Sequence, residues 1–228
     1  MEKMLNLQDH TLYVYDLEVI DSRMYMMREG DEILLIDPCE NESLLERIRG
    51  AKHALVYLTH EHYDHISGVN WIRKKIDCEV WCTESCAGRL AEPRLNLSRT
   101  FPFLFLQDRE KYEYVRTHMD RGFTCKADRT FETENKMTWK GHSLYMRKTA
   151  GHSPGSSMLL LDETILFAGD SLLGNGLELK SLGADEACYR AQVLPYIKDL
   201  DSEIPVCPGH GEVSTLRNLW YKIEEYIG

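Results

Sequence analysis

His60-Glu61-His62-Tyr63-Asp64-His65 gathers three imidazoles and the Asp64 carboxylate within six residues, directly behind the apolar run Leu55-Val56-Tyr57-Leu58-Thr59. That run reads as a short buried strand over Ala54–Thr59, delivering His60 at the strand's C-terminal end, where open sheets build their ligand sites. Asp64 and His65 lead into a helix expected over Ile66–Lys75, a place where the helix dipole favours a carboxylate. Imidazole and carboxylate together suit zinc, and also iron or manganese, better than calcium or copper(I). Backbone directions diverge between a strand end and a helix start, so these donors do not all converge on one tetrahedral ion. Two metals are therefore expected, and with them further ligands downstream.

Three positions meet that requirement. His152 lies in Thr149-Ala150-Gly151-His152-Ser153-Pro154-Gly155, Asp170 in Leu166-Phe167-Ala168-Gly169-Asp170-Ser171, and His210 in Val206-Cys207-Pro208-Gly209-His210-Gly211. Each directly follows an expected strand and sits beside glycine.

The ordered set H-x-H-x-D-H, G-H-S-P-G, G-D-S and P-G-H-G resembles the metallo-β-lactamase superfamily, particularly its glyoxalase II-like hydrolases, from about Leu34 to the C-terminus. The resemblance implies an αββα sandwich, two mixed sheets flanked by helices, with metals between the sheet edges. Position by position it implies that His60, His62 and His152 hold a first metal and Asp64, His65 and His210 a second, with Asp170 bridging. Asp37, in Leu35-Ile36-Asp37-Pro38, stands where the family has an aspartate that braces the histidine motif. The family usually has glycine where this chain has Cys39.

Two divalent ions per chain are thus expected, zinc first, with iron or manganese as the other candidates. Paired ions and a bridging carboxylate leave room for a shared water whose pKa falls from ~15.7 toward ~7. The expected chemistry is hydrolysis by a metal-bridged hydroxide of a small thioester, ester, lactone or amide, as in hydroxyacylglutathione hydrolases. Asp64 is expected to orient that hydroxide while it ligates. Glutathione thioesterases of the family carry a C-terminal helical extension, and 18 residues follow His210 here, so a different acyl substrate is expected. A mononuclear iron persulfide dioxygenase, using His60 or His62 with His152 and Asp170, stays open as an alternative, and a phosphodiesterase or nuclease of the same fold is a third.

The remaining pattern fits two sheets. Leu12–Val19, Ser22–Arg28 and Asp31–Asp37 read as an antiparallel meander, followed by a helix over Asn41–Arg49 and a strand over Cys78–Cys82. Ser143–Thr149, Ser156–Asp162, Thr164–Ala168 and Ile204–Cys207 read as strands, and Asp185–Asp199 and Ser214–Tyr226 as helices. No repeat or linker interrupts the 228 residues, so one domain over 1–228 is expected. Within it, residues 99–130 alternate aromatics with charges and have no single period. They read either as a cover over a pocket or as a locally packed helix and loop.

The net charge of −10 argues against a nucleic-acid partner, and no apolar run reaches the ~18 residues of a membrane span. Seven unevenly spaced cysteines suggest no disulfide framework, and Met1-Glu2-Lys3-Met4-Leu5-Asn6 lacks the apolar core of a secretory signal, so a cytoplasmic location is expected. The expected partner is a small-molecule substrate; the oligomeric state stays open, a homodimer included.

Competing motifs fail on physical grounds. Gly151-His152-Ser153-Pro154-Gly155 also fits the G-x-S-x-G nucleophile elbow, but Pro154 has no N–H for an oxyanion, and a strand follows where the elbow needs a helix. Cys78, Cys82 and Cys86 share no face across a strand-to-helix change, and Cys39 reads as structural. Arg99, Arg109, Lys111, Arg116, Arg121, Lys126 and Arg129 read as a solvated mixed-charge face. His10, His53, His118 and His142 receive no role.

Overall fold

The computed structural model describes residues 2–17, 19–174, 176–179 and 182–227, the last three by backbone alone. Its first sheet has seven strands in sequence order: β1 (Glu2–Leu7), β2 (His10–Leu17), β3 (Ser22–Glu29), β4 (Glu32–Ile36), β5 (His53–Tyr57), β6 (Asp77–Thr83) and β7 (Arg129–Phe131). β1 to β4 form the expected antiparallel meander with one strand added before it, and β4 to β7 are parallel. Glu18, within the strand expected over Leu12–Val19, lies outside the described residues.

The second sheet comprises β8 (Glu134–Trp139), β9 (His142–Lys148), β10 (Ser157–Leu161), β11 (Ile165–Gly169), β12 (Pro205–Pro208) and β13 (Ser214–Thr215), in spatial order β13-β12-β11-β10-β9-β8. β11 and β12 are parallel neighbours.

Alternation along the strands explains why two sheets stack and helices cover both outer faces. Leu12 and Val14, Tyr25 and Met27, Leu34 and Ile36, and Leu55 and Tyr57 point inward to meet Leu159, Leu161, Ile165 and Phe167 of the facing sheet. The intervening residues are apolar too. Ile33, Leu35, Ala54 and Val56 pack outward against Leu44, Ile66, Ile72 and Leu90, and Met158, Leu160, Leu166 and Ala168 against Tyr189, Val193, Ile197 and Leu219. A strand buried on both faces reads as continuously apolar. Each such Leu or Ile contributes about 1.5–3 kcal/mol on burial. The result is the expected αββα sandwich.

The covering helices are α1 (Leu44–Ile48), α2 (Tyr63–Ile66), α3 (Val69–Ile72), α4 (Glu84–Leu90), α5 (Arg109–His118), α6 (Glu186–Cys188), α7 (Leu194–Lys198) and α8 (Leu216–Ile227). The helix expected over Ile66–Lys75 is instead split into α2 and α3. A Cβ on Gly68 would come within 2.6 Å of the Cys39 backbone, so the chain breaks there to let the two segments touch. The helix expected over Asp185–Asp199 becomes α6, a π turn over Tyr189–Val193, and α7, which carries Pro195 in its first turn. Proline cannot donate to the preceding turn, and the wider π turn absorbs that defect.

The 99–130 segment holds a 3₁₀ turn (Phe101–Phe105) and α5. Phe101 and Phe123 pack edge-on against Tyr63 at 5.1 and 5.4 Å, and the Asp120 N–H donates to Tyr63 Oη at 3.2 Å. The segment thus braces α2 from outside. Among the described residues no helix is long and apolar enough to cross a membrane.

Candidate metal centre

Seven side chains converge where the strands of both sheets end. β5 leads to His60 and His62, α2 carries Asp64 and His65, β9 leads to His152, and the parallel pair β11 and β12 leads to Asp170 and His210. All but His210 are buried, and its side chain is 22% exposed at the mouth. Close approach needs glycine at position 209, where a Cβ would lie 2.1 Å from Asp170 Oδ1 and 2.8 Å from His65 Cε1.

Donor atoms fall into two adjoining groups, His60, His62, His152 and Asp170 in one, and Asp64, His65 and His210 in the other. In the first, His62 Nδ1 lies 3.1 Å from His152 Nε2, and Asp170 Oδ2 lies 3.5 Å from His152 Nε2 and 3.9 Å from His60 Nε2. In the second, Asp64 Oδ2 is 3.3 Å from His65 Nε2 and 3.2 Å from His210 Nε2. Asp170 joins them, with Oδ1 3.4 Å from His65 Nε2 and Oδ2 3.4 Å from His210 Nε2.

The outer nitrogens of four imidazoles are held so that Nε2 faces inward. His152 Nδ1–H donates to the Glu178 carbonyl at 2.6 Å, His210 Nδ1–H to the Ile20 carbonyl at 3.1 Å, and His65 Nδ1–H to Asp37 Oδ2 at 3.0 Å. Thr59 Oγ1 donates to Asp37 Oδ2 at 2.6 Å and faces His60 Nδ1 at 3.0 Å. Asp37 also accepts the Thr59 N–H through Oδ1 at 2.7 Å. Asp37 thus makes three contacts, two on Thr59 and one on His65.

Burial and the two carboxylates set the charge of the site between them. Burial pushes His62 down to about 3 and holds His60 well below the usual imidazole range, so both present lone pairs. For His210 burial works the same way, but Asp170 and Asp64 outweigh it and lift that group to about 10. His65 is lifted likewise against burial by Asp64 and Asp170.

This donor set fits divalent metal ions. His60 Nε2 and Asp170 Oδ1 are buried and take no hydrogen bond. Tetrahedral ligands of zinc stand ~3.3 Å apart given bonds of ~2.0 Å, and the inward donors lie at 3.1–3.5 Å with few exceptions. At the opposite end of the sandwich the same residue types behave differently: Asp162 Oδ2 accepts from His10 Nε2 at 2.8 Å and His142 Nδ1 at 2.6 Å, ordinary charge-assisted hydrogen bonds. That clasp between β2 and the second sheet was not foreseen. Its residues lie 132 and 20 positions apart and carry no local signature.

Other motif residues find structural places. Ser153 is fully buried, its Oγ donating to Glu61 Oε2 at 3.0 Å and facing Ser156 Oγ at 2.9 Å. Cys39 is buried and its thiol is pushed up to about 12, which leaves it unreactive. Cys82 on β6 and Cys86 on α4 are buried in the core. Arg116 and Arg129 pair with Glu113 and Glu79 on the surface. A cleft of about 560 Å³ opens beside His210, lined by Ile20, Leu173 and Val213 with Asp21 and Glu212.

Comparison with known proteins agrees with this geometry. The profile of the metallo-beta-lactamase superfamily matches residues 18–210. The probable metallo-hydrolase YqgX of Bacillus subtilis is 27% identical over 200 residues, 84% of this chain and 86% of that protein. A hydroxyacylglutathione hydrolase of Tolumonas auensis is 22% identical over 210 residues, 90% of this chain and 66% of that protein. Among solved structures, the BLEG-1 B3 metallo-beta-lactamase has a TM-score of 0.75 at 24% identity over the whole of both chains. TTHA1623 in a di-iron-bound form has a TM-score of 0.63 at 21% identity over 98% of each chain. These structural likenesses establish the fold.

Proposed function

The chain belongs to the metallo-beta-lactamase superfamily, and from that membership we propose that it is a dinuclear metal-dependent hydrolase acting on a small thioester, ester, lactone or amide. The observation that carries the reading is the position of Asp170, whose two carboxylate oxygens face both donor groups.

In this reading His60 Nε2, His62 Nδ1 and His152 Nε2 would hold one ion, and Asp64, His65 and His210 the other, with Asp170 within reach of both. Bound there, the ions would polarise the substrate carbonyl and acidify water at neutral pH. The chain's own residues do the positioning. Asp37 and Thr59 fix the rings of His65 and His60, and the carbonyls of Glu178 and Ile20 fix His152 and His210. Asp64, whose Oδ2 lies 3.2 Å from His210 Nε2, would orient the attacking water through its carboxylate. Ile20, Leu173 and Val213 offer an apolar wall for a short acyl group. Relatives called hydroxyacylglutathione hydrolases support thioester chemistry, and the di-iron form of TTHA1623 makes iron a candidate beside zinc.

The test is turnover of a panel of thioesters, esters, lactones and amides by the protein as purified, after chelation, and after return of zinc, iron or manganese. Hydrolysis that disappears with the metal and returns with it is the expected result. Turnover unaffected by complete metal removal would overturn the reading.

A further inference from the structure

Glu61 stands between two candidate ligands, His60 and His62, yet belongs to neither donor group. It is 1% exposed, and a carboxylate so deep is held only where hydrogen bonds replace water. Its partners lie on two other pieces of chain. Ser153 Oγ–H donates to Oε2 at 3.0 Å, and the Gly155 backbone adds a further hydrogen bond. Arg89 of α4 brings its Nε to 3.5 Å from Oε1. Ser153 is in turn fixed by Ser156, whose Oγ accepts the Ser153 N–H at 3.1 Å.

The contact is tight enough to dictate sequence. A Cβ on Gly155 would lie 2.2 Å from Glu61 Oε2 and 2.7 Å from Cys86 Cα, so only glycine lets the loop after His152 press onto this carboxylate and α4. The Gly151-His152-Ser153-Pro154-Gly155 turn therefore uses its serine and its second glycine to receive Glu61. The loop bearing His60 and His62 and the loop bearing His152 come from different sheets, and this is a side-chain tie directly between them beside the 3.1 Å approach of His62 Nδ1 to His152 Nε2.

The geometry points to Glu61 as a positioning residue that locks the two ligand loops together through Ser153 and so sets the spacing of the three-imidazole group. The inference rests on the metal-binding reading. Outer residues that orient ligands typically change metal affinity 10–100-fold, and that is the effect expected here.

The experiment measures zinc affinity by competition with a chromophoric chelator, together with the visible absorption spectrum of the cobalt-loaded protein, for the wild type, Glu61→Ala, Glu61→Gln and Ser153→Ala. Thermal melting of each metal-free chain runs alongside. Glu61→Ala should weaken the tighter-defined three-histidine site by about 10–100-fold and alter the cobalt spectrum. Glu61→Gln keeps an acceptor for Ser153 and should recover most of the affinity. Combining Glu61→Ala with Ser153→Ala should add little to either alone, because both remove one tie. If Glu61→Ala does not fold, Ser153→Ala cuts the same contact from the other side with a smaller change and gives the same readout. Variants that melt lower but bind zinc with wild-type affinity and an unchanged cobalt spectrum would overturn the positioning role. A wild type that binds no metal would instead defeat the metal-binding reading itself.

Discussion

Asp37 Oδ2 accepts the Nδ1–H of His65 at 3.0 Å, joining the end of β4 to α2, the helix in which the histidine motif ends. Both side chains are buried, at 3% and 0% exposure, so the bond is not shared with water. It turns His65 Nε2 toward Asp64, Asp170 and His210. Replacing Asp37 with asparagine keeps the shape but removes the charge that orients the ring. Metal affinity of the Asp64, His65 and His210 group should fall about 10–100-fold. Chelator competition measures it, and an unchanged affinity would show that Asp37 only packs.

His62 Nδ1 lies 3.1 Å from His152 Nε2, inside the three-imidazole group. His62→Ala should bind about one ion fewer per chain and lose about three orders of magnitude in kcat, about 4 kcal/mol of barrier. Full turnover with full metal content would contradict the assignment.

Ser153 makes its hydrogen bonds inside the protein and takes no part in the chemistry proposed. Ser153→Ala should lower kcat/KM by no more than about 10–100-fold, through weaker metal binding. Saturating metal should restore the rate. A loss of about 10⁴ that excess metal leaves unchanged is what a nucleophilic serine would give.

Asp162 stabilises the far end of the sandwich. Burial raises its carboxyl, but hydrogen bonds from His142 and His10 outweigh that and leave it below its ordinary value. A depressed carboxyl contributes stability that is full above its unfolded pKa of about 4 and is lost as pH falls through the folded value. Asp162 sits at φ 49°, a left-handed conformation that asparagine also adopts readily, so Asp162→Asn keeps the turn and removes only the charge. The substitution should cost about 1–3 kcal/mol at neutral pH. The gap from wild type should narrow below pH ~4, and denaturant melts at several pH values check it. A gap that stays constant down to pH ~2 would remove Asp162 from that role.

Much of this arrangement is legible in the sequence because the core strands are apolar on both faces and the ligands directly follow them. His60, His152, Asp170 and His210 all sit just past strand ends, where the pattern changes from apolar to glycine and polar. The edge strands β1 and β8 escaped, since Leu5 and Leu7, and Met137 and Trp139, give each only a two-residue apolar alternation beside Lys3, Asn6, Glu134 and Lys136. Whereas the break before α7 carries a local mark in Pro195, the break between α2 and α3 reflects a tertiary contact, Gly68 against Pro38 and Cys39, which no local window contains. Glu61 and the His10, Asp162 and His142 clasp are invisible for the same reason: each is defined by a partner far along the chain.

The most direct test of a two-ion centre is the metal content of freshly purified protein, by elemental mass spectrometry without added metal or chelator. The account predicts about two divalent ions per wild-type chain and about one in His62→Ala. A wild-type content of about one iron per chain, unchanged on adding zinc, would contradict the paired-ion mechanism and favour mononuclear oxygen chemistry on the same ligands.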